Sequence, residues 1–408
     1  MTPPKPISSG KLSGSRAGTS GPSRPALLKQ MNARELLSLL RNNNPCSRAD
    51  LVRMSGLSAP TVSSVIEYLE RKRLVNRLGP GNSSGGRRPD MLAFNSDFAY
   101  VAGVDLGGST IRLALANLDG SIVARWTVST RGNRTPPKIV ALIHSGLQAL
   151  LQQAKIPRSK LRALGAGAPG VTDVRAGIVL SAPNLSGWHS VPLRELLEKK
   201  LKIPAVIEND VNAAAIGERW SGSAKGISNF VFLALGTGIG SGIVLNDHLY
   251  HGSDWAAGEV GYLLLPGEEV SPVLMKESGA LEKALGGNAI EGIWRRVNPG
   301  HDGTGRLRAT EIFELAARGN TSARKLLRSS AQILANAITN ISVLLNPSLI
   351  VLGGSLGTSE HLVDATRELL DKNDFARPRL AISTLGAEAQ LHGAIRLALD
   401  HVEASLLP

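Results

Sequence analysis

A carboxylate that could take part in phosphoryl transfer follows a short apolar stretch in the middle of the chain. Glu208-Asn209-Asp210 comes directly after a strand predicted over 205–207, and a helix is predicted over 212–219. Polar groups at the carboxyl end of a strand face the ligand crevice of an open α/β sheet. Asp210 could there accept a hydroxyl proton as a phosphoryl group is transferred. The alternative is that Asp210 only caps the helix that follows it.

Glycine-rich turns after three other apolar strands could bind a nucleotide. They are Asp105-Leu106-Gly107-Gly108-Ser109, Gly236-Thr237-Gly238-Ile239-Gly240 and Gly353-Gly354, which follow strands predicted over 101–105, 230–235 and 349–352. Glycine lets backbone N–H groups approach a phosphate closely, and the Asp105 carboxylate could hold Mg²⁺. The third turn could lie against a nucleotide base. Each turn taken alone is more often only a turn.

Two of these glycine turns belong to a repeated pattern. Strands predicted over 101–105, 111–118 and 122–128 have counterparts over 230–235 and 241–245, roughly 130 residues further along. A hairpin that recurs, with helical and strand segments after each copy, indicates two similar α/β lobes with a cleft between them. The duplicated turn and its aspartate are consistent with an ancestral ATP clamp.

Three short helices with capping signals are predicted near the N-terminus. The first is expected to begin at Asn32-Ala33-Arg34-Glu35 and the second at Ser47-Arg48-Ala49-Asp50, and both sequences match a capping box. The third is expected to begin after Ser58, which follows the tight turn Ser55-Gly56-Leu57. Short helices joined by a glycine turn predict a helix-turn-helix.

The third helix and a following hairpin could both contact DNA. Strands predicted over 74–78 and 91–94 flank a glycine-rich tip with two arginines, which suit a narrow minor groove. Small side chains near the N-terminus of the third helix can reach base edges in a major groove. The predicted DNA-binding residues are Ala59, Thr61, Ser63, Ser64, Arg87 and Arg88. The alternative is that these helices form a plain packing module.

The positive charge is concentrated at the same end of the chain. Residues 1–95 carry 15 Lys and Arg against 5 Asp and Glu, whereas the whole chain carries 46 against 33. A basic head on a nearly neutral body suggests that the head meets a polyanion such as double-stranded DNA. A solvated basic segment that binds nothing is the alternative.

The composition is that of a multidomain globular protein, since 42% of the 408 residues are hydrophobic and 19% are charged. Residues 1–25, with six Ser and five Pro, are predicted to be a disordered leader. No stretch approaches the roughly 20 apolar residues of a membrane helix, and no secretory signal is recognisable. Cys46, the single cysteine, cannot form an internal disulfide. We therefore expect a cytoplasmic location and no membrane partner.

Taken together, these motifs resemble those of the ROK family of repressors and sugar kinases, within the actin-like ATPase superfamily. The resemblance covers about residues 27–400. The matching motifs are the 105–109 loop, Ala168-Pro169-Gly170, Pro183-Asn184-Leu185, Glu208-Asn209-Asp210, the 236–240 loop, Gly258-Glu259-Val260-Gly261 and 346–354. The resemblance implies an α/β fold: a two-lobed actin-like ATPase (ribonuclease H-like) body preceded by a winged helix-turn-helix domain. The implied boundaries are 1–25 for the leader, 26–95 for the winged domain, 98–225 with 385–408 for the N-terminal lobe, and 226–384 for the C-terminal lobe.

The resemblance also implies a sugar site. Family members hydrogen-bond sugar hydroxyls at the positions of Asn184, Asn209, Asp210, Glu259 and Glu282, and the family's kinases use the position of Asp210 for the catalytic base. Carboxylates and amides are apt here because they offer acceptors to many hydroxyl donors. The implied nucleotide positions are Asp105, Gly107, Gly108, Ser109, Gly236, Thr237, Gly238, Gly353 and Gly354.

The chain departs from the family pattern at the zinc site. Tyr262 stands where the family has a histidine that contacts sugar and ligates zinc, and 272–280 lacks the family's three cysteines. The phosphate loop also reads Ser109-Thr110, where the kinases usually have Thr-Lys. We therefore expect no zinc and no other resident metal. His248 and His251 could suggest another metal, but they are predicted to be exposed histidines of a hairpin.

Two functions of different classes remain open at this point. The first is a sugar-responsive DNA-binding regulator, a repressor of carbohydrate-metabolism genes, which requires no cofactor and binds a DNA operator and a small sugar or sugar-phosphate effector. It is expected to be a homodimer or a higher homo-oligomer. The second is an ATP-dependent, glucokinase-like sugar kinase with an accessory DNA-binding head, which would use Mg-ATP. The charge partition, the winged unit and the altered zinc motif favour the regulator.

Overall fold

The structure is a computed structural model of the chain. It describes residues 24–81, 89–182, 185, 187–265, 277–298 and 307–406. The chain divides into two compact units, of which the first ends at Asn95 and the second begins at Ser96. Within the described ranges, no helix is both long and apolar enough to cross a membrane.

The first unit is a winged helix-turn-helix. Its helices and strands are α1 (Arg24–Asn42), β1 (Cys46–Ser47), α2 (Arg48–Ser55), α3 (Ala59–Arg71), β2 (Val75–Pro80) and β3 (Asp90–Phe94). The strands form one antiparallel sheet in the order β1-β3-β2. The predicted wing strands are therefore confirmed, while the wing tip at 82–88 lies outside the described residues.

Local capping signals explain where two of the three helices begin. The Ser47 side chain accepts from the backbone N–H of Asp50, and the Asp50 side chain accepts from that of Ser47, which confirms the predicted capping box. Ser58 caps α3 by accepting from the backbone N–H of Thr61. The prediction for α1 is wrong: the helix begins at Arg24 and runs through Asn32.

The apolar side chains of the three helices form the core of the first unit. Val62, Val65, Ile66 and Leu69 are all buried along one side of α3, as their spacing predicts. A charged contact joins the helices to the wing, because the Glu70 carboxylate accepts two hydrogen bonds from the Arg77 guanidinium on β2.

The second unit holds the remaining strands and helices. The strands are β4 (Tyr100–Leu106), β5 (Thr110–Asn117), β6 (Ile122–Ser129), β7 (Leu161–Ala168), β8 (Val171–Asp173), β9 (Ile178–Ser181), β10 (His189–Val191), β11 (Ala205–Asn209), β12 (Phe230–Leu235), β13 (Ile239–Leu245), β14 (His248–Leu249), β15 (Leu349–Gly353) and β16 (Arg379–Ile382). The helices are α4 (Pro136–Gln153), α5 (Leu193–Leu201), α6 (Asp210–Ser221), α7 (Ala280–Leu285), α8 (Gly287–Val297), α9 (Ala309–Ala317), α10 (Thr321–Leu345), α11 (Gly354–Gly357), α12 (Glu360–Leu370) and α13 (Ala389–Leu406).

The two large sheets of this unit have the same topology. The first has the order β11-β7-β4-β5-β6 and the second has the order β14-β13-β12-β15-β16. In each, an antiparallel hairpin (β4-β5 or β12-β13) is extended by strands parallel to its first strand. This equivalence confirms the internal duplication. A small sheet of order β10-β9-β8 packs beside β11 and α5. We call the first large sheet with this small sheet, α4 and α5 the first lobe, and the second large sheet with α7–α10 and α12 the second lobe.

Helices α6 and α13 join the two sheets. Helix α13 packs on β4 and β7 of the first sheet, and α6 packs on both α13 and the strands β12 and β13 of the second sheet. The two helices approach very closely, since a Cβ atom added at Gly393 would overlap the carbonyl oxygen of Ala213. Glycine is required here because the backbones themselves are in contact.

Candidate functional site

Two predicted carboxylates lie at the same edge of the first sheet. Asp105 is near the end of β4, and Asp210 follows the end of β11; both strands run parallel to β7 between them. The Asn209 side chain caps α6, because its Oδ1 accepts from the N–H groups of Val211 and Asn212 at 2.9 and 3.0 Å. Asn209, and not Asp210, is thus the residue with the capping geometry.

The Asp210 side chain lies in an unfavourable position for a charged group. Its pKa is raised to about 7, chiefly by burial and in addition by the charges of Asp105 and Glu259, although hydrogen bonds from backbone N–H groups oppose the shift. Carboxyls with strongly raised pKa values concentrate at binding and catalytic sites. Asp105 and Glu259 thus each act on the ionisation of Asp210.

Glu259 and Glu282 come from the second lobe. Glu259 is half-buried, and burial raises its pKa, with a further contribution from the charge of Glu282. The Glu282 Oε2 accepts from the backbone N–H of Ile239 at 3.1 Å, so this carboxylate contacts the second glycine loop. The predicted sugar residues Asp210, Glu259 and Glu282 are thus linked in series, because the charge of Glu259 raises the pKa of Asp210 and the charge of Glu282 raises the pKa of Glu259. Asn184 lies outside the described residues.

The first glycine loop has a feature that the sequence analysis missed. Asp105 is only 3% exposed, and its Oδ2 accepts from Arg112 Nη1 at 2.8 Å. Burial raises the pKa of Asp105, and Arg112 opposes this shift. The guanidinium would compete with a Mg²⁺ ion for Oδ2 of this carboxylate. The register of the β4-β5 hairpin, in which these two residues are paired, is the signal that could have revealed the contact.

The second glycine loop and the Gly353-Gly354 turn lie side by side. Gly236 donates its N–H to the carbonyl of Gly238 at 3.0 Å, and Ser355 lies next to Gly236. Gly354 has a φ of +76°, and a Cβ there would overlap the carbonyl oxygen of Leu235. The first glycine loop is closed by a similar hydrogen bond, which the N–H of Gly107 donates to the carbonyl of Thr110. Thr237, Gly238 and Ser109 are exposed at the tips.

The prediction for His251 is wrong. This histidine is half-buried, and its Nε2 donates to Oε2 of the buried Glu208 at 2.8 Å. His248 is exposed as predicted, with Nδ1 at 2.7 Å from the carbonyl of Asn246. Among the described residues, no group of three or more His, Cys, Asp or Glu side chains could hold a metal ion.

Tyr262 makes a hydrogen bond to a described residue on the far side of 266–276. Its hydroxyl donates to the carbonyl of Glu277 at 2.9 Å, and this bond spans 266–276, which lie outside the described residues. Leu281 is buried and Leu263 packs against the same core.

The outer face of α3 carries the predicted DNA-contacting side chains. Ala59 and Ser64 are exposed, and Thr61 and Ser63 are partly exposed. The Thr61 hydroxyl lies 2.8 Å from the Ser58 hydroxyl at the start of the helix. Arg87 and Arg88 fall outside the described residues.

The winged first unit and the two-lobed second unit define a class of proteins with a DNA-binding head and an actin-like ATPase body. The profile of the ROK family matches residues 101–401. The chain belongs to the ROK family.

Relatives with and without the head are both similar to this chain. The xylose repressor of Bacillus subtilis is 31% identical over 388 residues, which cover 92% of this chain and 96% of the repressor. The glucokinase of Halalkalibacterium halodurans is 33% identical over 314 residues, which cover 73% of this chain and 94% of the enzyme. The crystal structure of a ROK family transcriptional regulator, a homolog of the E. coli MLC protein, matches 93% of this chain with a TM-score of 0.76 and 21% identity, and thus shares the fold.

The raised pKa of Asp210 predicts a pH-dependent stability. Its pKa is about 7 in the folded state against an ordinary value of 3.8, so the folded state binds one more proton between these pH values. Stability should therefore fall as the pH rises from about 4 to 7, and Asp210→Asn should remove this loss. We expect the variant to be about 1–2 kcal/mol more stable than the wild type at pH 8, since one pKa unit is about 1.4 kcal/mol and Asp210 is only partly buried.

Urea unfolding at pH 5 and pH 8 measures this effect. Asp374→Asn is the matched control, because Asp374 is exposed. An Asp210→Asn variant whose stability follows that of the control at both pH values would contradict the electrostatic account of the cleft.

Proposed function

We propose that the chain is a sugar-responsive DNA-binding transcriptional regulator that represses carbohydrate-metabolism genes. The observation that carries the proposal is the combination, in one chain, of a winged helix-turn-helix with a two-lobed body in which the charges of Asp105 and Glu259 act on the buried Asp210. The xylose repressor similarity, which extends over 92% of the chain, supports the same assignment.

The proposed DNA contacts are divided between α3 and the wing. Ala59, Thr61, Ser63 and Ser64 would read base edges, while Arg87 and Arg88 would enter the minor groove. Each phosphate that is neutralised releases condensed counterions, so log K should fall steeply with log salt. Replacing both arginines by Ala should weaken binding about tenfold or more and lower the salt slope by about 2.

Fluorescence anisotropy over a salt series tests this prediction, with the full chain and a duplex that the protein selects from a random pool. The matched control is Arg131→Ala with Arg134→Ala, because both are exposed arginines of the second unit. Thr61→Ala and Ser63→Ala should change sequence preference and leave the slope alone. Binding that is indifferent to salt and to Arg87 and Arg88 would refute the proposed DNA interface.

The proposed effector is a small sugar or sugar phosphate that binds at Asn184, Asn209, Asp210, Glu259 and Glu282. The chemistry fits, because carboxylates accept hydrogen bonds from hydroxyl groups and Asp210, with a pKa near 7, can also donate one when protonated. D-xylose is the first candidate, given the similarity to xylose repressors. A ligand that contacts both lobes favours their closed arrangement, and linkage then couples its binding to operator affinity.

The second candidate function is an ATP-dependent sugar kinase with an accessory head, in which Asp210 would be the catalytic base. The glucokinase similarity supports it. Two contacts of the structure weigh against it. Arg112 donates a hydrogen bond to the Asp105 carboxylate, and the Glu282 carboxylate accepts one from the N–H of Ile239 in the second glycine loop. A negative group at that loop would repel phosphate. ADP release measured over a sugar panel with Mg-ATP distinguishes the two functions.

We further propose that the regulator requires no cofactor and holds no zinc. Structural zinc sites are built almost entirely from Cys and His, and the hydroxyl of Tyr262 already joins the two sides of the segment in question. Mg-ATP would be needed only for the kinase. We also propose a cytoplasmic homodimer, because two helix-turn-helix units on a symmetry axis can read paired half-sites.

A further inference from the structure

The loop that precedes Glu259 is attached to the second lobe by backbone hydrogen bonds at both ends. Tyr250 donates its N–H to Ile243 at 2.8 Å, and at the other end Ser241 donates its N–H to the carbonyl of Gly258 at 2.7 Å. Trp255, near the middle of the loop, has a φ of +62°. A tryptophan is costly in this left-handed region, so the surrounding contacts must fix its conformation. We refer to residues 250–258 as the cleft loop.

Two side chains of the cleft loop contact the first lobe. His251 Nε2 donates to Glu208 Oε2 at 2.8 Å, and the guanidinium carbon of Arg175 lies 5.5 Å from the centre of the Trp255 ring. The rings of His251 and Trp255 also meet edge to face, with centroids 5.5 Å apart. The hydrogen bond, the cation–π contact and the ring contact therefore form one continuous connection between the lobes.

Both partners on the first lobe are themselves anchored. The Glu208 Oε1 accepts from the N–H of Asn209 at 2.8 Å and from Asn212 Nδ2 at 3.1 Å. Arg175 lies in the β8-β9 turn, where its backbone carbonyl accepts from Arg194 at 2.7 Å. The Glu208 carboxylate thus bonds to two elements. Its Oε1 holds the turn that carries Asp210, and its Oε2 holds the cleft loop.

We propose that Glu208, His251, Trp255 and Arg175 act as a cross-cleft clamp that positions Glu259 opposite Asp210. These are positioning residues, since they act through the groups that would touch the effector. The inference rests on the proposed sugar effector. A site that is already arranged before the ligand arrives binds it more tightly, because less ordering is lost on binding. Releasing the clamp should therefore weaken effector binding without changing the DNA contacts of the head.

The variants can be matched closely. His251→Phe removes the Nε2 donor and keeps a ring against Trp255, while His251→Gln keeps a donor that can reach the carboxylate. His248→Phe is the control, because this exposed histidine bonds only within its own hairpin. Glu208→Ala is unsuitable because it would disturb the buried Asn212 as well as the clamp. The Oδ1 of Asn212 already has no hydrogen-bond partner in the described part of the chain, and the loss of Glu208 would leave the Nδ2 of Asn212 unpaired too.

The first measurement is the affinity for D-xylose, D-glucose and N-acetyl-D-glucosamine by calorimetry, together with operator affinity in the absence of sugar. For the sugar that the wild type binds, His251→Phe should bind roughly 3–30-fold more weakly, which lies within the range of coupling energies between neighbouring residues. His251→Gln should recover most of the affinity, and operator affinity without sugar should stay within about twofold of wild type for all variants. Equal sugar affinity in His251→Phe and His248→Phe would overturn the clamp.

If the wild type binds none of these sugars, that result counts against the proposed function and leaves the clamp to a second measurement. Hydrogen exchange should be at least about threefold faster over 208–212 in His251→Phe than in His248→Phe, since the clamp supports that turn from the opposite lobe. Exchange that is unchanged there would overturn the clamp, whatever the sugar results.

Discussion

Ala59→Glu is expected to abolish most operator binding while leaving the fold intact. Ala59 is the first residue of α3 and is exposed. A carboxylate at this position is favourable for the helix, because it lies at the positive end of the helix dipole. The same carboxylate would face the bases and phosphates of DNA. It would replace the contact that Ala59 is proposed to make with a base edge, and it would be repelled by the phosphates. We expect operator affinity to fall about 10- to 100-fold.

Anisotropy titration of the operator measures this loss, and the unfolding midpoint reports on the fold. Ser38→Glu is the matched control, since Ser38 is an exposed residue of α1 in the same unit and the charge change is identical. If the two variants bind DNA equally well, α3 is not the recognition helix.

Gly393→Ala is expected to destabilise the second unit severely. The added methyl group would overlap the backbone of Ala213, and no side-chain rotation can relieve a clash with a carbonyl oxygen. Helices α6 and α13 would have to move apart, and these are the helices that join the two sheets. Overpacking in a rigid core costs about 1–3 kcal/mol and occasionally more, and we expect at least about 3 kcal/mol because the contact is between backbones.

Gly292→Ala provides the matched control for this measurement. It is also a glycine within a helix, α8, but a Cβ there would meet no atom within 4 Å. Since alanine favours helix over glycine, the control should be about 0.5–1 kcal/mol more stable than the wild type. Thermal unfolding of both variants provides the test, and similar midpoints would contradict the proposed role of the α6–α13 contact.

Strand positions and glycine turns could be predicted well because their signals are local. An apolar run followed by glycine specifies where a strand ends, and the same pattern in two places predicted the duplicated sheets. Helix α1 was predicted less well. The capping sequence at Asn32 is a genuine signal, but Leu28, Lys29 and Gln30 before it are good helix formers, and the helix continues through them.

The contacts that define the cleft could be predicted only in part. Their residue types suggested binding, but their partners depend on the folded arrangement. Arg112 neutralises Asp105 across a hairpin, and His251 meets Glu208 from the other lobe, 43 residues along the chain. Local sequence rules rank Asn and Asp equally as helix caps, so they could not decide that Asn209 would cap α6.

Operator affinity measured with and without sugar tests the central claim most directly. The claim is that a sugar bound at the carboxylates of the cleft changes DNA binding by the head. For the wild type, at least one of a panel of pentoses, hexoses, N-acetylhexosamines and their phosphates should change operator affinity about 5–150-fold, the range of typical allosteric coupling. Glu259→Ala should keep the sugar-free affinity and lose the response. An operator affinity that no sugar changes, or a Glu259→Ala variant that responds like the wild type, would contradict the account.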